Sequence, residues 1–204
     1  MELERALYGA KAIIFDCDGT LVDSAPVYGK AWAAGFARGG GRMADDWYRD
    51  RNGLSEHILI DAFEQVSGLK LDREQVIAHM RNAYLENIGA LSEISMIASI
   101  ARKNVGRLAM AVASGGPAAI VVPSLRHLKL DTLFDAIITL DDVGVPKPAP
   151  NLFIEAARRC NIEPADCVVL EDSDQGITAA AKAGMRCFDV RALARSQGAP
   201  AAGV

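Results

Sequence analysis

The sequence predicts an α/β protein: a parallel sheet with helices on both faces, interrupted near its start by an all-helical insert. Three observations carry this. Short strand-like runs at residues 12–15, 108–113, 136–140, 167–170 and 185–190 are separated by helical patterns, which implies right-handed crossovers and parallel pairing. The first run, AIIF, stops abruptly at acidic residues, as a buried strand does when it reaches a polar crevice at its carboxyl end. Between residues 23 and 89 no strand-like run occurs, and helical periodicities follow one another instead. The expected division is an α/β core of residues 1–22 and 90–204 and a helical unit of residues 23–89.

Along the chain, Asp23 or Ser24 is placed to cap a helix reaching residue 37, with Pro26 in its first turn and three glycines, Gly39 to Gly41, behind it. A helix over 55–66 sets Ile58, Leu59, Ala62, Phe63 and Val66 on one face and closes at Gly68. Another over 72–87 aligns Val76, Ile77, Met80, Tyr84 and Ile88. Gly89 then makes the second crossing between the two units a candidate hinge. Ser92 is expected to cap a helix to residue 103. Strand 108–113 leads into Ser114-Gly115-Gly116-Pro117 and a helix to residue 128. Strand 136–140 leads into Asp141-Asp142, a proline-laced loop around Lys147, and a helix capped by Asn151. Strand 167–170 leads into Glu171-Asp172 and a helix to residue 183, with Asp172 or Ser173 as cap, and strand 185–190 closes the sheet. The tail 192–204, rich in Ala and Gly, is expected to fray.

Composition bounds the function. At 204 residues and 50% hydrophobic, the chain can bury one full core and a smaller one. A net charge of −4 with no run of Lys or Arg leaves no footprint for nucleic acid. Residues 1–12 lack the pattern of a signal peptide and no apolar stretch reaches membrane-spanning length, so no membrane partner is expected. Four cysteines without a CxxC pair suit reduced thiols and a cytoplasmic location, and the three dispersed histidines give no zinc spacing. A monomer is expected.

Asp16 and Asp18 stand two residues apart before Gly19 and Thr20. Such residues point the same way on an extended chain, but the bend that Gly19 permits lets one present its side chain and the other its carbonyl. Carboxylates this close repel unless a cation lies between them, and hard oxygen ligands suit Mg²⁺. An EF-hand is excluded because Gly19 comes too early. A cysteine phosphatase built on Cys17 would need Arg where Asp23 stands. Ser114 offers a hydroxyl and Gly115-Gly116 backbone N–H groups, a phosphate cradle, although such a turn by itself is more often only the start of a helix. Lys147 is a long cation held between prolines, and the Lys147-Pro148 bond is open to the cis form. Glu171-Asp172 again crowds acids at a strand end.

FDCDGTLVDS resembles motif I of the haloacid dehalogenase superfamily, and Ser114, Lys147 and Glu171-Asp172 are similar to its later motifs, in order. VPKPAPNLF and VVLEDSDQGITAAAKAGM resemble the subgroup with a helical cap inserted after motif I. The resemblance implies a Rossmann-like core with that cap. It implies Asp16 as nucleophile forming an aspartyl-phosphate, and Asp18 as the acid and base that protonates the leaving oxygen and then activates water. Ser114 and Lys147 would neutralise the phosphoryl oxygens, and Asp16, Asp18, Asp172 and Glu171 would hold Mg²⁺. Thr20, Gly115, Arg51 and Arg81 would contact substrate. The Val-Gly-Val-Pro loop before Lys147, Asn151 for a frequent Asp, and Ile88-Gly89-Ala90-Leu91 for Pro-Gly-Val depart from the pattern.

The runs AVASGG, FDAIITLDDV and AGMRCFDVRAL are similar to bacterial phosphatases of fructose 1-phosphate and 6-phosphogluconate, so hydrolysis of a small phosphorylated metabolite is expected. A β-phosphoglucomutase is the alternative. That branch uses an Arg in a Gly-x-Ser-Arg-like loop, and here residues 51–56 read RNGLSE, with Glu56 at that place. A carboxylate there repels a distal phosphate. Haloalkanoate dehalogenation has no use for Asp18 or a metal. A non-catalytic relative would ordinarily lose a motif acid, and all are present.

Overall fold

The computed structural model describes residues 2–44 and 46–196. Its centre is β1 (Ala12–Phe15), paired in parallel with β4 (Ala109–Ala113) on one side and β6 (Cys167–Glu171) on the other. The outer strands are β5 (Ala136–Ile138) beside β4 and β7 (Arg186–Asp189) beside β6, giving the order β5-β4-β1-β6-β7. Alternate residues of β1 feed two cores. Ile13 and Phe15 join Met110, Val112, Val168 and Leu170 on one face, and Ala12 and Ile14 join Ala111, Ala113, Cys167 and Val169 on the other.

Register fixes the chemistry. Phe15 pairs with both Val112 and Leu170, so the chain leaves all three central strands at nearly one level. Asp16 N–H donates to the Leu170 carbonyl at 3.0 Å, which sets Asp16 beside Glu171.

The helical insert lies between two short strands, β2 (Val22–Asp23) and β3 (Ser92–Glu93), which pair antiparallel with each other. It contains α2 (Ala25–Arg38), α3 (Glu56–Ser67) and α4 (Arg73–Glu86), numbered after α1 (Glu2–Leu7). Its interior is aromatic: Phe36 stacks on Phe63 with ring centres 3.9 Å apart, and Trp32 and Trp47 pack around Phe36. The insert is also joined to the core, where the Tyr84 and Ser124 hydroxyls share a buried hydrogen bond of 3.0 Å.

The remaining helices are α5 (Ser95–Asn104), α6 (Ala118–His127), α7 (Leu140–Val143), α8 (Asn151–Cys160), α9 (Asp174–Lys182) and α10 (Arg191–Ser196). Several local expectations change. Ser92 pairs in β3 instead of capping, because the second crossing needs it opposite Asp23. Asp23 is itself in β2, and Ser24, at the cap position of α2, turns its hydroxyl away from the helix. In α3 the buried residues are Leu59, Ile60 and Phe63, while Ile58 and Val66 are exposed. Asn151 is the first helical residue of α8 and not its cap, with Pro150 before it. Residues 139–142 do not extend β5. Thr139 and Asp142 form a capping box that starts α7, and Asp142 also accepts from Arg159 at 2.6 Å. The helix α10 takes up the first part of the tail expected to fray, and residues 197–204 lie outside the described residues. The helix α1 has no counterpart in the sequence reading. Its Leu3, Ala6 and Leu7 pack on the main core.

Truncating Phe36 to Ala removes the ring against which Trp32, Trp47 and Phe63 pack, and is expected to cost about 3–5 kcal/mol. Urea unfolding measures this, and a loss below about 1 kcal/mol would show that the ring cluster does not hold the insert together.

Candidate active site

A cavity of about 690 Å³ opens at the carboxyl edge of the sheet, with its floor from the core and its roof from the insert. Asp16, Asp18, Gly115, Lys147, Glu171 and Asp172 line the floor, and Tyr28, Trp32, Tyr48, Glu56 and Arg81 face them.

Lys147 ties the floor together. Its ammonium lies 2.5 Å from Asp16 Oδ1 and 2.7 Å from Glu171 Oε2, and 4.9 Å from the centre of the Phe153 ring. Its bond to Pro148 is cis. Burial pulls this lysine down, but Asp16 and then Glu171 together hold it above the ordinary lysine range, so it stays charged. Glu171 uses its second oxygen, Oε1, to accept from the backbone N–H groups of Asp172 (3.0 Å) and Ser173 (2.9 Å) and from the Ser173 hydroxyl (2.8 Å). Both its oxygens are thereby engaged by the protein.

The other acids are held individually. Ser24, from the first crossing, donates to Asp18 Oδ1 at 2.6 Å. Thr20, expected at the substrate, is fully buried and donates to Asp172 Oδ1 at 3.1 Å, so it positions that acid instead. Gly19 adopts φ +86°, and a Cβ there would lie 2.2 Å from Asp172 Oδ2, so the turn must be glycine twice over. Ser114 is buried at the end of β4, where its Oγ accepts from Gly116 N–H at 3.1 Å.

Burial, followed by the Glu171 charge, pushes Asp16 well above the ordinary carboxylate range, and burial raises Asp18 against the opposing hydrogen bond from Ser24. Asp172 is pushed up to about 6 by burial and then by Glu171. Asp16, Glu171 and Asp172 offer carboxylate oxygens that all lie within 4.8 Å of one another. Hard carboxylate oxygens crowded together at a largely buried site are a donor set that fits a small divalent cation. Cys17, between the two motif acids, is fully buried, and its thiol is pushed well up, first by burial and then by Asp18 and Asp16.

Not every expected residue arrives. Arg51 stacks on the Trp47 ring at 4.5 Å and donates to the Trp47 carbonyl at 3.0 Å, away from the residues that line the cavity. Arg81 does line it, but is held by both oxygens of Glu56 at 3.0 and 2.8 Å.

A family model described as haloacid dehalogenase-like hydrolase matches residues 10–184, nearly the whole of this architecture. The chain belongs to that family. Among the relatives of this haloacid dehalogenase-like hydrolase is the fructose-1-phosphate phosphatase YqaB of Escherichia coli, 36% identical over 186 residues, covering 89% of this chain and 96% of the relative. A phosphorylated carbohydrates phosphatase of Thermotoga maritima is 30% identical over 183 residues, covering 86% and 82%. The structure of CbbY from Rhodobacter sphaeroides in complex with phosphate superposes with a TM-score of 0.78 at 25% identity, covering 87% of this chain and 84% of that one.

Sequence reasoning missed two supports of this hydrolase site. By spacing Ser24 reads only as a helix cap, and its hydrogen bond to Asp18 needs the fold to bring it round. Gly176 left a clearer signal, a glycine inside a helical pattern. A Cβ on Gly176 would lie 1.9 Å from Glu171 Oε2. Gly176→Ala is therefore expected to displace Glu171 from Lys147 and lower kcat by at least about tenfold, with a smaller effect on KM. Steady-state kinetics on p-nitrophenyl phosphate tests this, and an unchanged kcat would show that α9 can retreat without disturbing the site.

Proposed function

We propose that this hydrolase is a Mg²⁺-dependent phosphatase of small sugar phosphates that works through an aspartyl-phosphate on Asp16. The observation that carries the reading is the pairing of roles on the cavity floor. Asp16 has one oxygen pinned by Lys147, and Asp18 is held separately by Ser24 within the same cavity.

In the first half-reaction the Asp16 oxygen attacks phosphorus and the bond from phosphorus to the sugar oxygen breaks. Asp18 gives its proton to that leaving oxygen, a transfer suited to a carboxyl that burial keeps protonated more readily than usual. In the second, Asp18 takes a proton from water as the water attacks phosphorus, and Asp16 leaves as a carboxylate with inorganic phosphate released. Lys147, the Ser114 hydroxyl and the backbone N–H of Gly115 neutralise the phosphoryl oxygens in both steps. Mg²⁺, held by Asp16, Asp172 and the Asp18 carbonyl, would screen the charge of nucleophile and phosphoryl group and so allow them to meet. Glu171 acts one layer out, fixing Lys147 and the loop that carries Asp172.

The helical unit of residues 23–89 serves as the cap that chooses the sugar, and the chain acts as a cytoplasmic monomer. Among the described residues no helix is long and apolar enough to cross a membrane. The relatives named as sugar-phosphate phosphatases support hydrolysis over transfer to a second phosphate. So does Glu56, which stands where the mutase resemblance would require Arg.

Asp16→Asn keeps the shape of the side chain but cannot attack phosphorus, and is expected to lower phosphate release from fructose 1-phosphate by more than about a hundredfold. Substantial turnover in that variant would remove the nucleophile assignment. Chelation with EDTA should abolish wild-type turnover and Mg²⁺ should restore it; a rate indifferent to EDTA, or restored by Zn²⁺ alone, would overturn the metal assignment. Lys147→Ala is expected to depress every phosphate ester alike, p-nitrophenyl phosphate included, because it acts on the group common to all of them.

A further inference from the structure

The roof of the cavity carries information about the far end of the substrate. Among the described residues, the Lys and Arg side chains lining the cavity as a whole are Lys147, Arg81 and Arg191, and each already faces carboxylates. Lys147 is shared by Asp16 and Glu171, Arg81 is gripped by Glu56, and Arg191 bridges Asp174 and Asp189 at 2.8 Å to each. Asp141 adds a further acid to the same lining. The remaining expected cation, Arg51, lies on Trp47 outside it. One phosphoryl group is provided for, at Asp16 and Lys147. A second would find, among the described residues of the lining, no lysine or arginine that is not already committed, and Glu56 would meet it as a like charge.

The same pair suits a different group. Arg81 spends two N–H groups on Glu56 and keeps further donors, while the Glu56 oxygens retain lone pairs. A sugar hydroxyl both donates and accepts, so it can bond to either member without breaking the pair. A phosphate offers mainly acceptors, so it could use only the donors that Arg81 keeps, with its charge set against the adjoining Glu56 carboxylate. The pair is also well placed to be rigid. It joins the first turn of α3 to α4 across 25 positions of sequence, and it is partly shielded, with Glu56 21% and Arg81 35% exposed.

We propose that the Glu56–Arg81 pair is a selector for monophosphates, receiving an uncharged hydroxylated end of the substrate and turning away a second phosphate. The inference rests on the reading above, that the reacting phosphoryl group sits at Asp16.

The test compares fructose 1-phosphate with fructose 1,6-bisphosphate, with p-nitrophenyl phosphate as a substrate that has no sugar. Wild-type turnover of p-nitrophenyl phosphate with Mg²⁺ checks the underlying phosphatase reading by itself, and its absence would defeat that reading before the selector is addressed. Given that turnover, wild-type kcat/KM is expected to favour the monophosphate by about tenfold or more, the scale of one like charge at a half-shielded site. Equal values overturn the selector, whatever any variant does. In Glu56→Gln, Arg81 is released and the preference is expected to fall by about tenfold, chiefly through a lower KM for the bisphosphate. The exchange Glu56→Arg with Arg81→Glu restores a neutral pair and is expected to restore the preference. A ratio that stays at its wild-type value in Glu56→Gln, or that stays low in the folded exchange variant, assigns the pair to holding α3 against α4 and refutes the selector.

Discussion

The structure depends on one electrostatic constraint: several carboxylates are driven together at the end of a buried strand, and something must keep them there. Parallel register does the driving. Once Phe15 is level with Leu170, Asp16 cannot avoid Glu171, and the loop that follows brings Asp172 to the same place. Hydrophobic burial of β1 and β6 supplies the force, since every residue of both strands is inside. The repulsion is answered by a single ammonium, that of Lys147, and by the donors arrayed around Glu171. Elements far from the site then become intelligible. Gly176 lets α9 approach the Glu171 carboxylate, and the ring of Phe153 lies 4.9 Å from the Lys147 ammonium.

How much of this was legible in the sequence follows from how local each cause is. The strands and most helices could be read because burial imprints periodicity on neighbouring residues. The acids of the candidate site could be read because they crowd together at strand ends, where open α/β sheets place ligands. Asp141-Asp142 shows the limit of that rule. They too follow a strand, yet Asp141 accepts from Ala118 N–H and Asp142 caps α7, so both do structural work. Nothing local distinguishes them from Glu171-Asp172; the difference is which neighbours the sheet order supplies. Ser24, Thr20 and Arg51 changed role for the same reason. Their partners, Asp18, Asp172 and the Trp47 ring, are fixed by turns and packing that spacing alone does not specify.

The insert depends on the core as much as it covers it. Its two crossings are hydrogen-bonded to each other as β2 and β3, and Ile94 N–H continues the ladder to the Leu21 carbonyl at 2.8 Å. Bending one crossing therefore bends the other. Ser24 stands at that junction with its hydroxyl on Asp18, so the attachment of the roof and the position of the acid share one residue.

Cys17 gains a different meaning from its place between the two acids. A thiol reacts with oxidants and alkylating agents as its thiolate, and here burial and two flanking carboxylates oppose that form. The softest atom of this segment is thus held in its unreactive, protonated form. Cys160 and Cys187 are only partly exposed, and burial raises their thiols too, that of Cys187 to about 12, so neither gains what Cys17 lacks.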